Sequence, residues 1–169
     1  EWSVFAVGGS PAQSVLHGVL EVLKRKPDLV VAGIDNGENV GSGVTISGTA
    51  GAAMEAASLG IPALAASLEA HSTYHLSYSD EVDFSVAADF TARIARLLLE
   101  KKLLQDVNLL KVDVPSDATK DTPWQLTRVS RQRYYEPVAP ERVSWNEPGG
   151  VGYRESATLS HEPQDTDVY

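Results

Sequence analysis

The residues best placed for chemistry are Gly33-Ile34-Asp35-Asn36-Gly37-Glu38-Asn39-Val40-Gly41, followed a short way on by Ser47-Gly48-Thr49. Asp35 is the first carboxylate after an apolar run. Its oxygens suit a hard divalent cation such as Mg²⁺ or Mn²⁺, and Asn39 would supply a further oxygen or orient a ligand. Ser47, Gly48 and Thr49 open a stretch of small residues with helical character. At a helix start, free N–H groups and the dipole attract an anion, glycine lets it approach the backbone, and two hydroxyls can donate. Phosphate is the natural guest, so a metal and a phosphate would meet here. Each residue also has a plainer use, since Asp35 and Asn39 suit turns and Ser47 suits a helix N-cap.

The elements that must position these residues follow from apolar spacing. Trp2, Val4, Phe5 and Val7 alternate as in a strand already in progress. After Gly8 and Gly9, Ser10 and Pro11 match an N-cap and first helical position. Val15, Leu16, Val19, Leu20, Val22 and Leu23 keep helical spacing, Lys24, Arg25 and Lys26 suit its C-terminal end, and Pro27 stops it. Leu29 to Ala32 is a short unbroken apolar run, the pattern of a parallel strand buried on both faces. The loop Gly33 to Thr45 holds glycines at 33, 37, 41 and 43, and a close-packing helix is expected from Thr49 to Leu59. A strand over Ala63 to Ser67, a loop over 69 to 82, a helix from Phe84 and a strand over Leu109 to Val114 complete an α/β series. In such a sheet, ligands bind beyond the carboxyl ends of the strands, where the glycine loop departs.

Beyond Pro115 the pattern changes to strands over Trp124–Val129, Arg133–Val138, Arg142–Trp145 and Tyr153–Thr158, with a turn at Glu147-Pro148-Gly149-Gly150. Residues 1–115 therefore read as a partial α/β core and 116–169 as a hairpin arm. An isolated two-stranded ribbon is barely stable in water, so the arm is expected to exchange contacts between subunits.

Composition excludes several classes. The chain of 169 residues can bury a core, and 43% hydrophobic with 22% charged residues is the balance of a globular protein. With no cysteine, thiol chemistry and disulfides are excluded and a cytoplasmic setting is favoured. No apolar stretch approaches the roughly 20 residues that span a bilayer. A formal net charge of −9 disfavours nucleic acid. An acidic protein that handles phosphate needs a cation or a backbone anion site to offset repulsion. The start at Glu1, without methionine and inside a strand pattern, reads as a truncation.

Three motifs in order resemble the SurE family. Its Gly-Ile/Val-Asn-x-Gly-x-Asn-x-Gly followed by Ser-Gly-Thr matches Gly33–Gly41 and Ser47–Thr49, and its Gly-Thr-Pro-Ala-Asp-Cys-Val is similar to Gly9-Ser10-Pro11-Ala12-Gln13-Ser14-Val15. Its Thr-Arg-x-Ser-Arg-x-x-Tyr resembles Thr127-Arg128-Val129-Ser130-Arg131-Gln132-Arg133-Tyr134. The resemblance implies a Rossmann-like three-layer sandwich with a mostly parallel sheet and a C-terminal β-hairpin extension, the N-terminal part of the fold being absent from this chain. It implies a metal-dependent phosphomonoesterase that hydrolyses nucleoside 5'/3'-monophosphates and assembles as a homodimer or homotetramer. Asp35 would be a metal ligand, standing where the family has asparagine, and Asn39, Ser47, Gly48 and Thr49 would bind phosphate or substrate. Gln13 and Ser14 replace the family's Asp and Cys, a change of packing rather than chemistry. The family's adjacent aspartates and a serine ligand have no counterpart here, so no catalytic residue is assigned and the chain alone is expected to hold part of the site. The alternative is an anion-binding, oligomer-forming module without turnover.

The remaining polar residues carry less. His71 and His75 are four apart, but Ser72, Thr73 and Tyr74 between them favour a loop over a helical ligand pair. His17 and His161 stand with no carboxylates at a metal or triad spacing. Arg128, Arg131 and Arg133 form a basic stretch, and strand alternation would put Arg128 on the opposite face, which favours a subunit or substrate-arm contact over nucleic acid.

Overall fold

The computed structural model describes residues 2–75, 80–100, 106–156 and 161–169. Two compact units are present, one of residues 1–39 and 45–123, the other of 40–44 and 124–169.

In the first unit the chain begins with α1 (Pro11–His17), where Ser10 and Gln13 cap each other: Gln13 N–H donates to Ser10 Oγ and Ser10 N–H to Gln13 Oε1. A π-helical turn, Gly18–Val22, continues it, and Leu23 is already extended. Lys24 to Lys26 therefore lie outside the helix they were expected to close. Pro27 disfavours helical backbone at the residue before it, and the helix unwinds earlier still. Next come β1 (Val30–Asn36), α2 (Gly48–Ser58), β2 (Ala63–Leu68), α3 (Ser85–Leu99) and β3 (Leu109–Val114). The three strands form a parallel sheet in the order β1-β2-β3.

Every residue of β2 is buried because helices cover both faces of the central strand. Ala63 and Ala65 pack with Ala53 and Ala56 of α2, whose small side chains let helix and sheet come close, and with Val15 and Val19. Leu64 turns the other way, onto Ile94 and Leu98 of α3, and Leu68 onto Phe90. This alternation makes the three layers, and burying a side chain such as Leu64 completely contributes about 1.5–3 kcal/mol. β1 was expected to be buried on both faces, but among the described residues only β2 pairs with it, and Val31 is exposed. Trp2–Val7 is not a strand: a ladder needs a partner backbone, this segment pairs with none among the described residues, and Trp2 and Val4 are exposed.

The second unit is built on β4 (Tyr135–Val138) and β5 (Gly152–Glu155), an antiparallel pair with Tyr135 opposite Glu155. The rest of the arm has fewer strands than expected. Trp124–Val129 contributes a single bridge, Arg128 to Thr166. Residues 144–147 form a turn, next to which the Arg142 guanidinium covers the Trp145 ring and Val143 N–H donates to Glu147 Oε2. Local polar partners there replace a ladder. Of the expected strand Tyr153–Thr158, residues 157 and 158 lie outside the described residues, as do 76–79 of the expected loop. The C-terminal segment lies along residues 128–132: Arg128 donates twice to Asp165, Asp167 accepts from Ser130 N–H and Gly41 N–H, and buried Ser130 donates to Glu162.

Candidate functional site

Asp35 sits within the last turn of pleat of β1 rather than beyond it. The register slips between Ala32 and Asp35, after which Asp35 pairs with Ser67 and Asn36 with Leu68. The slip depends on Gly33, whose φ is +110° and where a Cβ would strike the Ala66 carbonyl oxygen. Gly37, at φ +120°, turns the chain out of the sheet. Its N–H donates to the Leu68 carbonyl at 2.8 Å, and a Cβ there would meet the His75 imidazole at 2.9 Å.

This turn returns Asn39 over the strand ends. Its side-chain amide donates to Asp35 Oδ2 at 3.1 Å and to Ser67 Oγ at 2.5 Å, while its backbone N–H donates to Asp113 Oδ1 at 2.8 Å. Asp35 Oδ1 accepts from Asn36 N–H at 3.0 Å. Asp113 Oδ2 in turn pairs with Lys111 Nζ. Both amide hydrogens of Asn39 are thus committed, which leaves Oδ1, an acceptor, as the part of that side chain available to a ligand. The structure brings Asp35 and Asn39 together and adds Ser67, Lys111 and Asp113, which formed no part of the expectation. A signal for the last two was present: charges two residues apart fall on one face of a strand, and elsewhere Leu109–Val114 is apolar.

Ser47, Gly48 and Thr49 open α2. Ser47 is its N-cap, with Oγ accepting from Ala50 N–H at 3.0 Å, so the hydroxyl hydrogen remains to donate. Since β1 and β2 are parallel and α2 connects them, α2 starts at the carboxyl edge of the sheet, the edge that carries Asp35. Gly48 lies against Pro11, where a Cβ would come within 3.0 Å of Pro11 Cγ, so the first two motif segments meet. His71 and His75 do not form a ligand pair. His71 Nδ1 bonds Thr73 Oγ1 and His75 Nε2 bonds the Ala70 carbonyl.

The donors around Asp35 fit a hard cation in kind, being a carboxylate with lone pairs to spare and the amide oxygen of Asn39. They supply part of a coordination shell only, because among the described residues no group of three or more His, Asp or Glu side chains could hold a metal ion.

Comparison with known proteins supports the motif resemblance. The family model "Survival protein SurE" matches residues 1–136. The chain is 43% identical to the 5'-nucleotidase SurE of Thermococcus gammatolerans over 139 residues, covering 82% of this chain and 51% of that protein. It is 38% identical to the 5'-nucleotidase SurE of Methanocaldococcus jannaschii over 170 residues, covering 98% of this chain and 61% of that protein. The chain therefore spans about half to three-fifths of the length of these relatives. Among solved structures, the SurE protein from Aquifex aeolicus matches with a TM-score of 0.69 at 26% identity, covering 95% of this chain and 61% of that one.

Proposed function

We propose that this chain, which belongs to the SurE family, acts in the metal-dependent hydrolysis of nucleoside 5'- and 3'-monophosphates to nucleoside and phosphate. The observation that carries the reading is the Asp35–Asn39–Ser67 cluster, set at the same sheet edge as a capped helix start. The names of the relatives, 5'-nucleotidases, support the substrate class.

In this reading Asp35 and the Asn39 amide oxygen hold a divalent cation, Mg²⁺ or Mn²⁺. Bound there, it would supply positive charge to offset phosphate repulsion from Asp35 and from a formal net charge of −9. The first N–H groups of α2 and the Ser47 hydroxyl receive the phosphate, and Gly48 leaves the backbone open to it. Asn36 N–H and the Asn39 amide orient the Asp35 carboxylate, so that its free lone pairs are aimed before ligands arrive.

Assembly as a homodimer or homotetramer is part of the same reading. Trp124, Leu126, Val143 and Trp145 of the second unit are exposed at 64%, 80%, 99% and 88%, apolar area that a partner subunit would cover. A cytoplasmic setting is consistent with the lack of cysteine. Among the described residues no helix is long and apolar enough to cross a membrane.

The incomplete ligand set favours one second reading, an anion-binding and oligomer-forming module without turnover. Phosphate release from a nucleoside 5'-monophosphate and its 3' isomer by the complete protein separates the two. Turnover with Mn²⁺ that falls to background in excess chelator supports the enzyme. Full turnover in chelator overturns the metal requirement, and no release under any metal condition leaves the module.

A further inference from the structure

We infer that Lys111 and Asp113 are positioning residues of this site, holding the loop so that Asn39 presents its amide oxygen, and not its amide hydrogens, to a ligand. The inference rests on the reading of the Asp35 cluster as the place where cation and phosphate meet.

Four linked contacts carry it. Lys111 Nζ pairs with Asp113 Oδ2, Asp113 Oδ1 accepts the Asn39 backbone N–H at 2.8 Å, and the Asn39 side-chain amide donates to Asp35 at 3.1 Å and to Ser67 at 2.5 Å. β3 supplies the first pair, β2 supplies Ser67 and β1 supplies Asp35, so the chain of bonds crosses the whole sheet at its carboxyl edge. Asp113 and Ser67 are register partners, as are Ser67 and Asp35, which sets all three side-chain origins in one row.

The Asn39 backbone is fixed by a carboxylate, and a carboxylate is an acceptor that accepts in any rotamer. Lys111 settles which oxygen faces the loop by occupying the other. The two side chains are only 15% and 17% exposed, so truncating either would strand the remaining charge in a place poor in water. Lys111 also offsets one of the two carboxylates that flank Asn39. Without it, only the neutral backbone and side-chain amides of Asn39 would stand between the Asp113 and Asp35 carboxylates.

The test uses the complete protein with Asp113→Ala, Asp113→Asn and Lys111→Met, and Mn²⁺ as probe. Three quantities are read: exchange of the Asn39 backbone N–H, Mn²⁺ affinity, and kcat and KM for a nucleoside monophosphate at saturating Mn²⁺. Asp113→Ala should raise Asn39 exchange at least ten-fold and lower Mn²⁺ affinity and kcat at least ten-fold, with KM within three-fold. Asp113→Asn keeps one acceptor oxygen for two donors and should fall between the parent and Asp113→Ala on exchange and Mn²⁺ affinity. Lys111→Met should speed Asn39 exchange, which decides the matter should Asp113→Ala not fold. Folded Asp113→Ala with parental exchange and Mn²⁺ affinity overturns the inference, as does parental Asn39 exchange in Lys111→Met. A parent that releases no phosphate overturns the nucleotidase reading alone, because exchange and Mn²⁺ affinity are measured without turnover.

Discussion

Asp35 and Ser67 are register partners across β1 and β2, and a single amide, that of Asn39, donates one hydrogen to each. The carboxylate accepts from neutral donors, the Asn36 N–H and the Asn39 side-chain amide.

Replacing Asp35 tests its role in holding the cation. Asp35→Ala should weaken Mn²⁺ binding and activity of the complete protein together, by ten-fold or more. Asp35→Asn should retain activity, since a carbonyl oxygen remains and the family's own pattern has asparagine there. Metal titration of both variants checks this, and unchanged affinity in Asp35→Ala would remove Asp35 from the site.

Ser47 has two separable duties. Loss of its bond to Ala50 N–H in Ser47→Ala should cost about 1 kcal/mol of stability, the usual effect of deleting an N-cap side chain. Ser47→Gly should cost only a few tenths by the same comparison. Urea denaturation reads these values. If the hydroxyl also donates to phosphate, both variants raise KM for the nucleotide alike, although their stabilities differ.

Gly33→Ala should be severe. The residue would have to adopt a φ of +110° and place a Cβ against the Ala66 carbonyl oxygen, which together should cost about 2–4 kcal/mol. The expected outcome is a lower midpoint in chemical denaturation and a loss of Asp35 register, visible as faster exchange at Gly37 N–H, which bonds the Leu68 carbonyl.

The C-terminal segment should loosen in acid. The guanidinium of Arg128 donates two hydrogen bonds to Asp165 and holds its carboxyl below the ordinary carboxylate range. A carboxyl with a lowered folded-state pKa stabilises the folded form above its unfolded pKa, and that contribution is lost as pH falls through the folded value. Exchange of Asp167 N–H, which donates to the Arg128 carbonyl at 3.0 Å, should therefore quicken below the ordinary carboxylate range. Arg128→Met should flatten that acid dependence.

The exposed apolar residues of the second unit predict assembly. Light scattering on the complete protein should give a dimer or tetramer, and Trp124→Ser with Trp145→Ser should shift it toward monomer. A monomeric parent at all concentrations would count against the subunit role.

What the sequence by itself determined was the α/β series, because apolar runs of four to six residues and small-residue helices report burial directly. Leu109–Val114 is the observed strand to the residue, and the helix expected over Thr49–Leu59 is displaced by one position. The glycine loop and the Ser47 cap were legible for a similar reason, since positive φ and helix starts demand particular residue types. Strand pairing was not legible. Trp2–Val7 has the alternation of a strand and no strand partner among the described residues, while Asp35 and Asn36, polar and beside a glycine, are in β1 because β2 offers them backbone bonds. The links to Asn39 were hidden for the same cause: Asp113 and Ser67 lie 74 and 28 residues from it, and only the register of three parallel strands brings them together. Sequence spacing fixes neighbours along a helix or strand, whereas contacts across a sheet depend on which strands pair and in what register.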